Sequence, residues 1–304
     1  MAIPRKTILI ILAFFAIYVI WGSTYLLNKI AVAELPPFFL ASVRFVVAGV
    51  IIFIISKFMK LNLAVSRKQL VNCVFSGFLF LVYGNGVFVW ALKYIDSGFA
   101  ALLASTQPLF ILLLLRLIDN KKMKINSLIG IGLGMLGMYI LVSQQEFVTQ
   151  EGTLLGMFMI LTCVLSWSYG SVFVSKADLP INYFVSTAYQ MLSAGILLSI
   201  TSLIVGETWV SPLEWSVPVK WSMILLSVFG SVVAFTSFNY LLKIVSPEKV
   251  STSAYVNPII AILLGWYVLD ETFTLQTIIA AVILLTGVYF ITTKRKIRFR
   301  PFGR

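Results

Sequence analysis

Long apolar stretches, separated by short polar or charged segments, recur along the whole chain of 304 residues. Each stretch is about 20 residues long, the length of a helix that spans the hydrocarbon core of a bilayer. The stretches are continuously apolar and do not alternate, which predicts spanning helices and not the strands of a barrel. The predicted spans lie near 8–28, 36–56, 70–92, 98–118, 126–143, 153–174, 182–204, 219–242, 250–269 and 274–293.

The composition agrees with this pattern, because 60% of the residues are hydrophobic and only 11% are charged. Ten spans leave about 100 residues for nine loops and two tails, which excludes a soluble catalytic or DNA-binding domain. We therefore predict an all-α polytopic membrane protein, embedded in a lipid bilayer and without a nucleic-acid partner. The chain has no His and only two Cys, Cys73 and Cys163, so neither a metal or other cofactor nor an enzymatic activity is predicted.

The Lys and Arg residues predict the orientation of the chain in the membrane. If the N-terminus is inside, the inner segments hold 19 of them and the outer segments hold 3. Cytoplasmic loops carry such an excess, so both termini are expected in the cytoplasm. The net charge of +12 therefore reflects the orientation of the chain in the membrane. The inner set includes the tail from Lys294 to Arg304, which we expect to contact anionic headgroups.

The two halves of the chain resemble each other. Shifting the sequence by 150 residues aligns 88–141 with 238–291, and a shift of 146 aligns earlier segments. Identical pairs include Trp21/Trp167, Gly49/Gly195, Phe88/Phe238, Lys93/Lys243, Ala104/Ala254, Pro108/Pro258, Gly137/Gly287 and Tyr139/Tyr289. The sequence thus predicts two five-helix units, 1–148 and 149–304. Because five is odd, the second unit enters the membrane from the opposite side, which makes the units an inverted repeat.

Arg44 is the only charged residue well inside a predicted span, about 12 Å from the start of that span. A charge at the centre of a helix costs roughly 2.5 to 3.5 kcal/mol, so Arg44 is expected to face the bundle interior or a water-filled cavity. One interpretation is a guanidinium that attracts a substrate carboxylate. The other is an arginine that snorkels outward or bonds carbonyls at helix ends. The second unit has Gln190 at the matching position.

Pro108 and Pro258 lie in the middle of their predicted helices. Each proline removes an amide donor and deprives the carbonyl four residues earlier of its usual partner. Each follows an amide side chain, Gln107 or Asn257. Such a break suits a polar substrate site at the midplane, although a kink that serves only packing is the alternative.

Aromatic and amide residues outline the rest of a candidate substrate cavity. In the first span Trp21, Tyr25 and Asn28 share one helix face. The sixth span adds Trp167 and Tyr169, and the third and eighth spans add amides. Aromatic walls with few polar groups are typical of a small-molecule site, whereas any one aromatic could instead belong to the interfacial belt. The full set of candidates is Trp21, Tyr25, Asn28, Arg44, Asn85, Gln107, Pro108, Trp167, Tyr169, Asn239, Asn257 and Pro258.

The segment 132–137 matches the pattern GxGxxG, but it lies inside an apolar span with no preceding strand, so it does not predict dinucleotide binding. Gly130 and Gly134 give a small-residue face instead. Such a face allows close helix packing, either within the bundle or between the protomers of a possible homodimer.

Several short motifs resemble one family of membrane proteins. They are Trp21-Gly22-Ser23, Pro36-Pro37, Arg44-Phe45, the run Ser97 to Leu103 leading to Pro108, Pro258 and Asp270-Glu271. In order and spacing they resemble the EamA family of ten-helix bacterial permeases, in the drug/metabolite transporter superfamily, over essentially the whole chain. The resemblance implies export of small metabolites, often amino acids, through a central cavity in the inner membrane.

We therefore expect a transporter that exports small neutral or zwitterionic metabolites, such as amino acids or their analogues, by alternating access. The alternatives are a multidrug exporter of cationic compounds and a non-transporting scaffold. The predicted spans hold no Asp or Glu away from their ends, which disfavours proton antiport through a buried carboxylate. Facilitated efflux, exchange, and ion coupling through the carbonyls and amides near Pro108 and Pro258 remain, and of these we expect facilitated efflux. Asp270 and Glu271 would matter to transport if they faced the cavity.

Overall fold

The structure is a computed structural model that describes residues 5–120, 125–143 and 151–292. Its regular elements are helices, and the described residues form no strand. Eight of them are long and apolar enough to cross a membrane: α1 (Lys6–Val32), α2 (Pro37–Phe58), α3 (Arg67–Ala91), α4 (Ser97–Asp119), α6 (Thr153–Val174), α7 (Tyr183–Ile204), α8 (Val217–Ile244) and α9 (Pro247–Leu269). Two shorter apolar helices are α5 (Ile125–Val142) and α10 (Leu275–Thr292).

The prediction of an all-helical polytopic membrane protein is confirmed for the described residues. The basic loop residues 121–124 and the predicted basic tail lie outside the described residues. Several helices extend beyond the predicted spans. Helix α1, for example, continues to Val32, past the end predicted at residue 28. It can do so because Lys29 Nζ donates hydrogen bonds to the carbonyls of Leu92 and Ile95, at 2.8 and 2.7 Å.

Successive helices run in opposite directions, so the bundle has two ends. At the Pro37 end, where α1 finishes and α2 starts, Ser216 N donates to Glu34 Oε2 at 3.2 Å. At the Arg67 end, where α2 finishes and α3 starts, Asn72 Nδ2 donates to the carbonyl of Asp178 at 2.8 Å.

Local sequence signals define several helix starts. Ser66 and Gln69 form a capping box at the start of α3, in which each side chain accepts from the other residue's backbone N–H. The side chains of Asn182 and Ser216 cap α7 and α8. Pro37 occupies the first turn of α2, where no N–H is needed. These caps fix where the apolar segments turn back into the bundle.

Helices α4 and α9 are broken near their prolines. The α-helix of α4 stops at Ala104 and resumes at Gln107. In α9 a 3₁₀ segment, Ser251–Tyr255, precedes the α-helix that resumes at Asn257. Each proline therefore lies in the first turn of a new helical segment, where its missing N–H costs nothing. The predicted interruption is present, but as a restart of the helix and not as a kink within it.

Three helices contain π-helical segments that the hydrophobic pattern did not predict. They are Ala16–Ile20 in α1, Phe78–Val87 in α3 and Leu226–Val233 in α8. A π segment displaces backbone carbonyls from their usual α-helical partners, and such segments are frequent at functional sites. The π segments of α3 and α8 are separated in the sequence by about half the length of the chain.

Glycines allow two helix pairs to approach closely. A Cβ added at Gly49 of α2 would lie 2.9 Å from the backbone nitrogen of Leu192 in α7, and one added at Gly195 of α7 would lie 2.8 Å from that of Val46. In the pair formed by α5 and α10, a Cβ at Gly287 would lie 2.8 Å from the oxygen of Gly130. The small-residue face of α5 is therefore packed against α10 within the chain.

Candidate functional site

A cavity in the middle of the bundle is lined by residues of α1, α2, α3, α4, α6, α8 and α9. It comprises about 920 Å³ of space free of protein atoms, including its open mouth. Nine of the sequence-predicted site residues lie on its wall: Trp21, Tyr25, Asn28, Arg44, Asn85, Gln107, Trp167, Asn257 and Pro258. Both halves of the chain therefore contribute to one concave site with aromatic walls and a few polar groups, the usual composition of a small-molecule site.

Among the residues that the structure describes, Arg44 is the only charged one on the cavity wall, and it is 3% exposed. Its Nε donates to Ser231 Oγ of α8 at 2.8 Å, and its Nη1 donates to Asn28 Oδ1 of α1 at 3.3 Å. The guanidinium carbon lies 5.0 Å from the centre of the Phe45 ring, a cation–π distance. In the described residues no carboxylate pairs with Arg44. The positive charge is thus held by neutral oxygens and left without a counter-charge.

An aromatic layer separates the cavity from the Arg67 end of the bundle. The rings of Trp21 and Trp167, identical residues of the two halves, meet edge to face at 5.6 Å. Phe80 and Phe238 pack against the tryptophans, with ring centres 5.0 to 5.8 Å apart. Phe235 packs against both of these phenylalanines, and the ring centres within the group of three lie 5.4 to 5.9 Å apart. Phe80, Phe235 and Phe238 are buried. Trp21, Trp167 and Phe235 also line the cavity, so the layer forms part of its wall.

The π segments of α3 and α8 present carbonyls to neighbouring helices. Trp21 Nε1 of α1 donates to the Gly230 carbonyl of α8 at 3.0 Å. Ser166 Oγ of α6 donates to the Leu79 carbonyl of α3 at 2.8 Å. A regular α-helix would keep these carbonyls in its own hydrogen bonds. The irregular backbone is therefore stabilised by side chains next to the cavity.

The amides on the cavity wall differ in their hydrogen bonding. With its amide oriented to match its neighbours, Asn257 Nδ2 donates to the carbonyls of Tyr18 and Ile17, at 2.7 and 3.0 Å. These carbonyls lie in the π segment of α1. Asn85 Oδ1 is buried and accepts no hydrogen bond from the described residues. Asn257 thus holds α9 against α1, while Asn85 keeps an unused acceptor.

Three predicted site residues do not line the cavity. Tyr169 is 38% exposed, and its ring packs against Phe75 on the outside of the bundle. Asn239 Nδ2 donates to Gln190 Oε1 at 2.8 Å and so links α8 to α7. Pro108 is buried and does not line the cavity, whereas the preceding residue, Gln107, does. For Tyr169 the reason is geometric, because a residue two positions from Trp167 points to the far side of the helix.

Two glutamates of the second half cap helices of the first half at the Pro37 end. Glu271 is buried and accepts hydrogen bonds from Ser97 N and Ser97 Oγ, at 2.8 and 2.7 Å, and from Gly98 N at 3.1 Å. Glu207 accepts from Phe38 N at 3.1 Å and from Phe39 N at 2.7 Å. A carboxylate at a helix N-terminus satisfies unpaired N–H groups and the helix dipole. Neither glutamate lines the cavity.

In residues 5–120, 125–143 and 151–292, no three His, Cys, Asp or Glu side chains are grouped to hold a metal ion. Cys163 lies on the cavity wall, and its Sγ donates to the Tyr83 carbonyl at 3.4 Å. Cys73 is a buried free thiol elsewhere in the bundle.

Comparison with known proteins gives one consistent family. The sequence pattern of the EamA-like transporter family matches residues 8–143 and again residues 154–293. The chain is 37% identical to the uncharacterized inner membrane transporter YedA of Escherichia coli strain K12, over 93% of this chain and 92% of YedA. It is 22% identical to the uncharacterized transporter YoaV of Bacillus subtilis strain 168, over 95% and 99% of the two chains. One crystal structure of a protein, 18% identical, superimposes with a TM-score of 0.69 and covers 94% of this chain and 96% of its own.

Proposed function

Because the chain belongs to the EamA-like transporter family, we propose that it exports small metabolites that carry a carboxylate, amino acids and their analogues among them. The cavity is the substrate site, and it is exposed alternately to the two sides of a bacterial inner membrane. The observation that carries this proposal is the buried Arg44, which lines the cavity and has no carboxylate partner in the described residues. A substrate carboxylate would supply the missing counter-charge.

The charge of Arg44 also separates this proposal from its alternatives. A cationic drug would be repelled by the only charge on the cavity wall, so the site is poorly suited to a multidrug exporter of cations. A non-transporting scaffold would gain nothing from burying an unpaired charge, which is costly in the interior of a membrane protein. Membership of a transporter family favours transport in the same way.

Ten spanning helices, arranged as two inverted five-helix units, are part of the proposal. The family pattern matches the chain twice, and the close contacts of Gly49 with α7 and of Gly195 with α2 are reciprocal. Reciprocal contacts are what a pseudo-twofold axis between two units produces. Rocking of one unit against the other would then open the cavity to each side in turn.

The orientation follows from the uneven distribution of basic residues, 19 on one side and 3 on the other. It assigns both termini and the Arg67 end to the cytoplasm. In this orientation the aromatic layer of Trp21, Phe80, Trp167, Phe235 and Phe238 lies between the cavity and the cytoplasm.

Efflux from proteoliposomes tests the proposal. Vesicles that hold the wild-type protein, Arg44→Gln or Tyr169→Phe are loaded with a mixture of amino acids, other carboxylates and cationic drugs, with and without a proton gradient. We expect saturable efflux of carboxylates from the wild type and from Tyr169→Phe, and a loss of that efflux in Arg44→Gln. Gln is chosen because Gln190 occupies the matching position in the second unit.

The other outcomes reject the proposal in distinct ways. Efflux of cations alone would favour the multidrug alternative, and no saturable efflux of any compound would favour the scaffold. Unchanged carboxylate efflux in Arg44→Gln would show that the guanidinium does not bind the carboxylate. Dependence of the efflux on the proton gradient would replace facilitated efflux by coupled transport.

A further inference from the structure

We propose that the cavity selects small monoanions, made of one carboxylate and an apolar body, over zwitterions of the same size. This inference rests on the transport function proposed above and names the substrate class within it. It depends on three features of the cavity wall. They are its positive charge, the Arg44 Nη2 group that makes no hydrogen bond with the described residues, and the hydrogen-bond acceptors next to Arg44 that other side chains already use.

The described residues of the cavity wall carry a charge of +1, because Arg44 is the only charged residue among them. A bound monoanion brings the charge of the loaded cavity to zero. A bound zwitterion also pairs its carboxylate with Arg44, but its ammonium then meets no carboxylate on the wall. Burial of an unpaired charge is unfavourable, so the loaded carrier is more stable with the monoanion.

The guanidinium of Arg44 has one side available to a ligand. Its Nε and Nη1 are bonded to Ser231 and Asn28, whereas its Nη2 makes no hydrogen bond with any described residue. A Cβ added at Gly230 would lie 3.2 Å from Nη2, so any residue larger than glycine at this position would crowd the unbonded nitrogen. A guanidinium held rigidly in this way presents fixed N–H donors that suit a planar carboxylate.

The acceptors next to the Arg44 guanidinium are already used by other side chains. Asn28 Oδ1 and Ser231 Oγ accept from Arg44, and the Gly230 carbonyl accepts from Trp21. Asn85 Oδ1 on the cavity wall is buried and accepts no hydrogen bond from the described residues, but it is not one of the acceptors bonded to Arg44. An ammonium carries three N–H donors, each of which needs an acceptor when it leaves water. An ammonium next to the bound carboxylate would therefore meet acceptors that already serve Arg44 and Trp21, and this favours a ligand without an ammonium.

The remaining wall suits an apolar body. Trp21, Phe88, Trp167 and Phe235 line the cavity together with Leu81. Ring faces attract cations, but Trp21 and Trp167 already pack against Phe238 with ring centres 5.1 and 5.8 Å apart. These contacts cover part of each face and leave apolar surface. The expected substrates are therefore aliphatic or aromatic monocarboxylates.

Binding of matched ligands to the detergent-purified protein tests this selectivity. Calorimetry at pH 7.5 compares hexanoate with norleucine and 3-phenylpropionate with phenylalanine, because the members of each pair differ only in an amino group. We expect each monoanion to bind at least about tenfold more tightly than its amino acid. Arg44→Gln should abolish the difference, and Tyr169→Phe, outside the cavity, should preserve it.

The comparison in the wild-type protein needs no variant. If Arg44→Gln does not fold, Arg44→Lys keeps the charge and should retain the preference with weaker binding. Amino acids that bind as tightly as the monoanions, or more tightly, would overturn the inference and leave export of carboxylates standing. Absence of binding by all four ligands would also overturn it, and the efflux experiment then decides independently whether the transport function holds.

Discussion

Arg44 of α2 and Ser231 of α8 are joined by a hydrogen bond of 2.8 Å from Nε to Oγ, although 187 residues separate them in the sequence. The bond connects the two halves of the chain at the cavity wall. Arg44 has only one other hydrogen-bond acceptor in the described residues, Asn28 Oδ1. The orientation of the buried charge thus depends on a single hydroxyl of the opposite half.

Substitution Ser231→Ala should reorient Arg44 and destabilise the protein. It leaves a charged N–H group buried without an acceptor, which costs about 2 kcal/mol in the free energy of unfolding. We expect carboxylate efflux to fall as well, because the guanidinium loses its fixed position. Unfolding in mixed micelles of increasing SDS content, together with efflux, measures both effects.

Ser227→Ala is the matched control, because Ser227 lies on the same helix, is also buried and makes no hydrogen bond with the described residues. Equal effects of the two substitutions would show that the hydroxyl at 231 has no special role.

Substitution Gly230→Ala should obstruct the carboxylate side of Arg44. The added Cβ would lie 2.8 Å from Thr24 Cγ2 and 3.2 Å from Arg44 Nη2, so one of these groups must move. Overpacking of this kind costs about 1 to 3 kcal/mol, and we expect the binding of carboxylates to weaken in addition.

Gly132→Ala provides the comparison, since no atom lies within 4 Å of a Cβ added there. It should be neutral, or stabilising by up to about 1 kcal/mol, because Ala favours helix more than Gly does. Calorimetric binding and thermal unfolding of both variants check the prediction, and normal binding by Gly230→Ala would contradict it.

Substitution Glu271→Ala should destabilise the Pro37 end. It removes the acceptor of three hydrogen bonds, which Ser97 N, Ser97 Oγ and Gly98 N donate. Their loss should lower the free energy of unfolding by about 3 kcal/mol. Asp270→Asn is the control, because Asp270 is exposed and has a φ of 53°, a conformation that Asn tolerates. Its effect should remain below about 0.5 kcal/mol. Similar losses for both variants would contradict a specific capping role of Glu271.

The Asp96 carboxyl predicts a pH dependence of stability. Burial raises its pKa above the ordinary value and the Glu271 carboxylate adds to this, while Lys29 acts in the opposite direction. The folded protein therefore binds this proton more tightly than the unfolded chain does. The resulting stabilisation is complete below the unfolded pKa of about 3.9 and is lost as the pH rises through the folded pKa.

Asp96→Asn should remove this dependence. The melting temperature of the variant relative to the wild type is expected to rise as the pH increases from 4 toward neutrality. The ion pair with Lys29, 3.7 Å long and partly exposed, contributes little at either pH. A difference in melting temperature that stays constant with pH would contradict the raised pKa.

The sequence predicted the helices and nine residues of the cavity wall for simple physical reasons. Lipid requires long apolar helices, and residues three or four positions apart share a helix face. That spacing placed Trp21, Tyr25 and Asn28 together, and all three line the cavity. The cost of a charge within the bilayer placed Arg44 inside the bundle, where the structure has it.

Other features depend on partners that are distant in the sequence. The π segment of α3 is stabilised by Ser166 from another helix, so no local pattern indicates it. Glu271 follows an apolar span and has the sequence features of a loop acid, but its partner Ser97 lies 174 residues earlier. The orientation of Asn239 toward α7 is decided by Gln190 in the same way.

The glutamate caps impose an order on the biosynthesis of the protein. Helix α4 begins at Ser97, yet the carboxylate that caps it is synthesised 174 residues later. At ribosomal rates of about 5 to 20 residues per second, this interval lasts roughly 10 to 30 seconds. The N-terminus of α2 stays uncapped for almost as long, because Glu207 follows Phe38 by 169 residues. During translation the first half therefore enters the membrane with two helix N-termini that only water can satisfy, and a ribosome that stalls before α7 is complete leaves both uncapped.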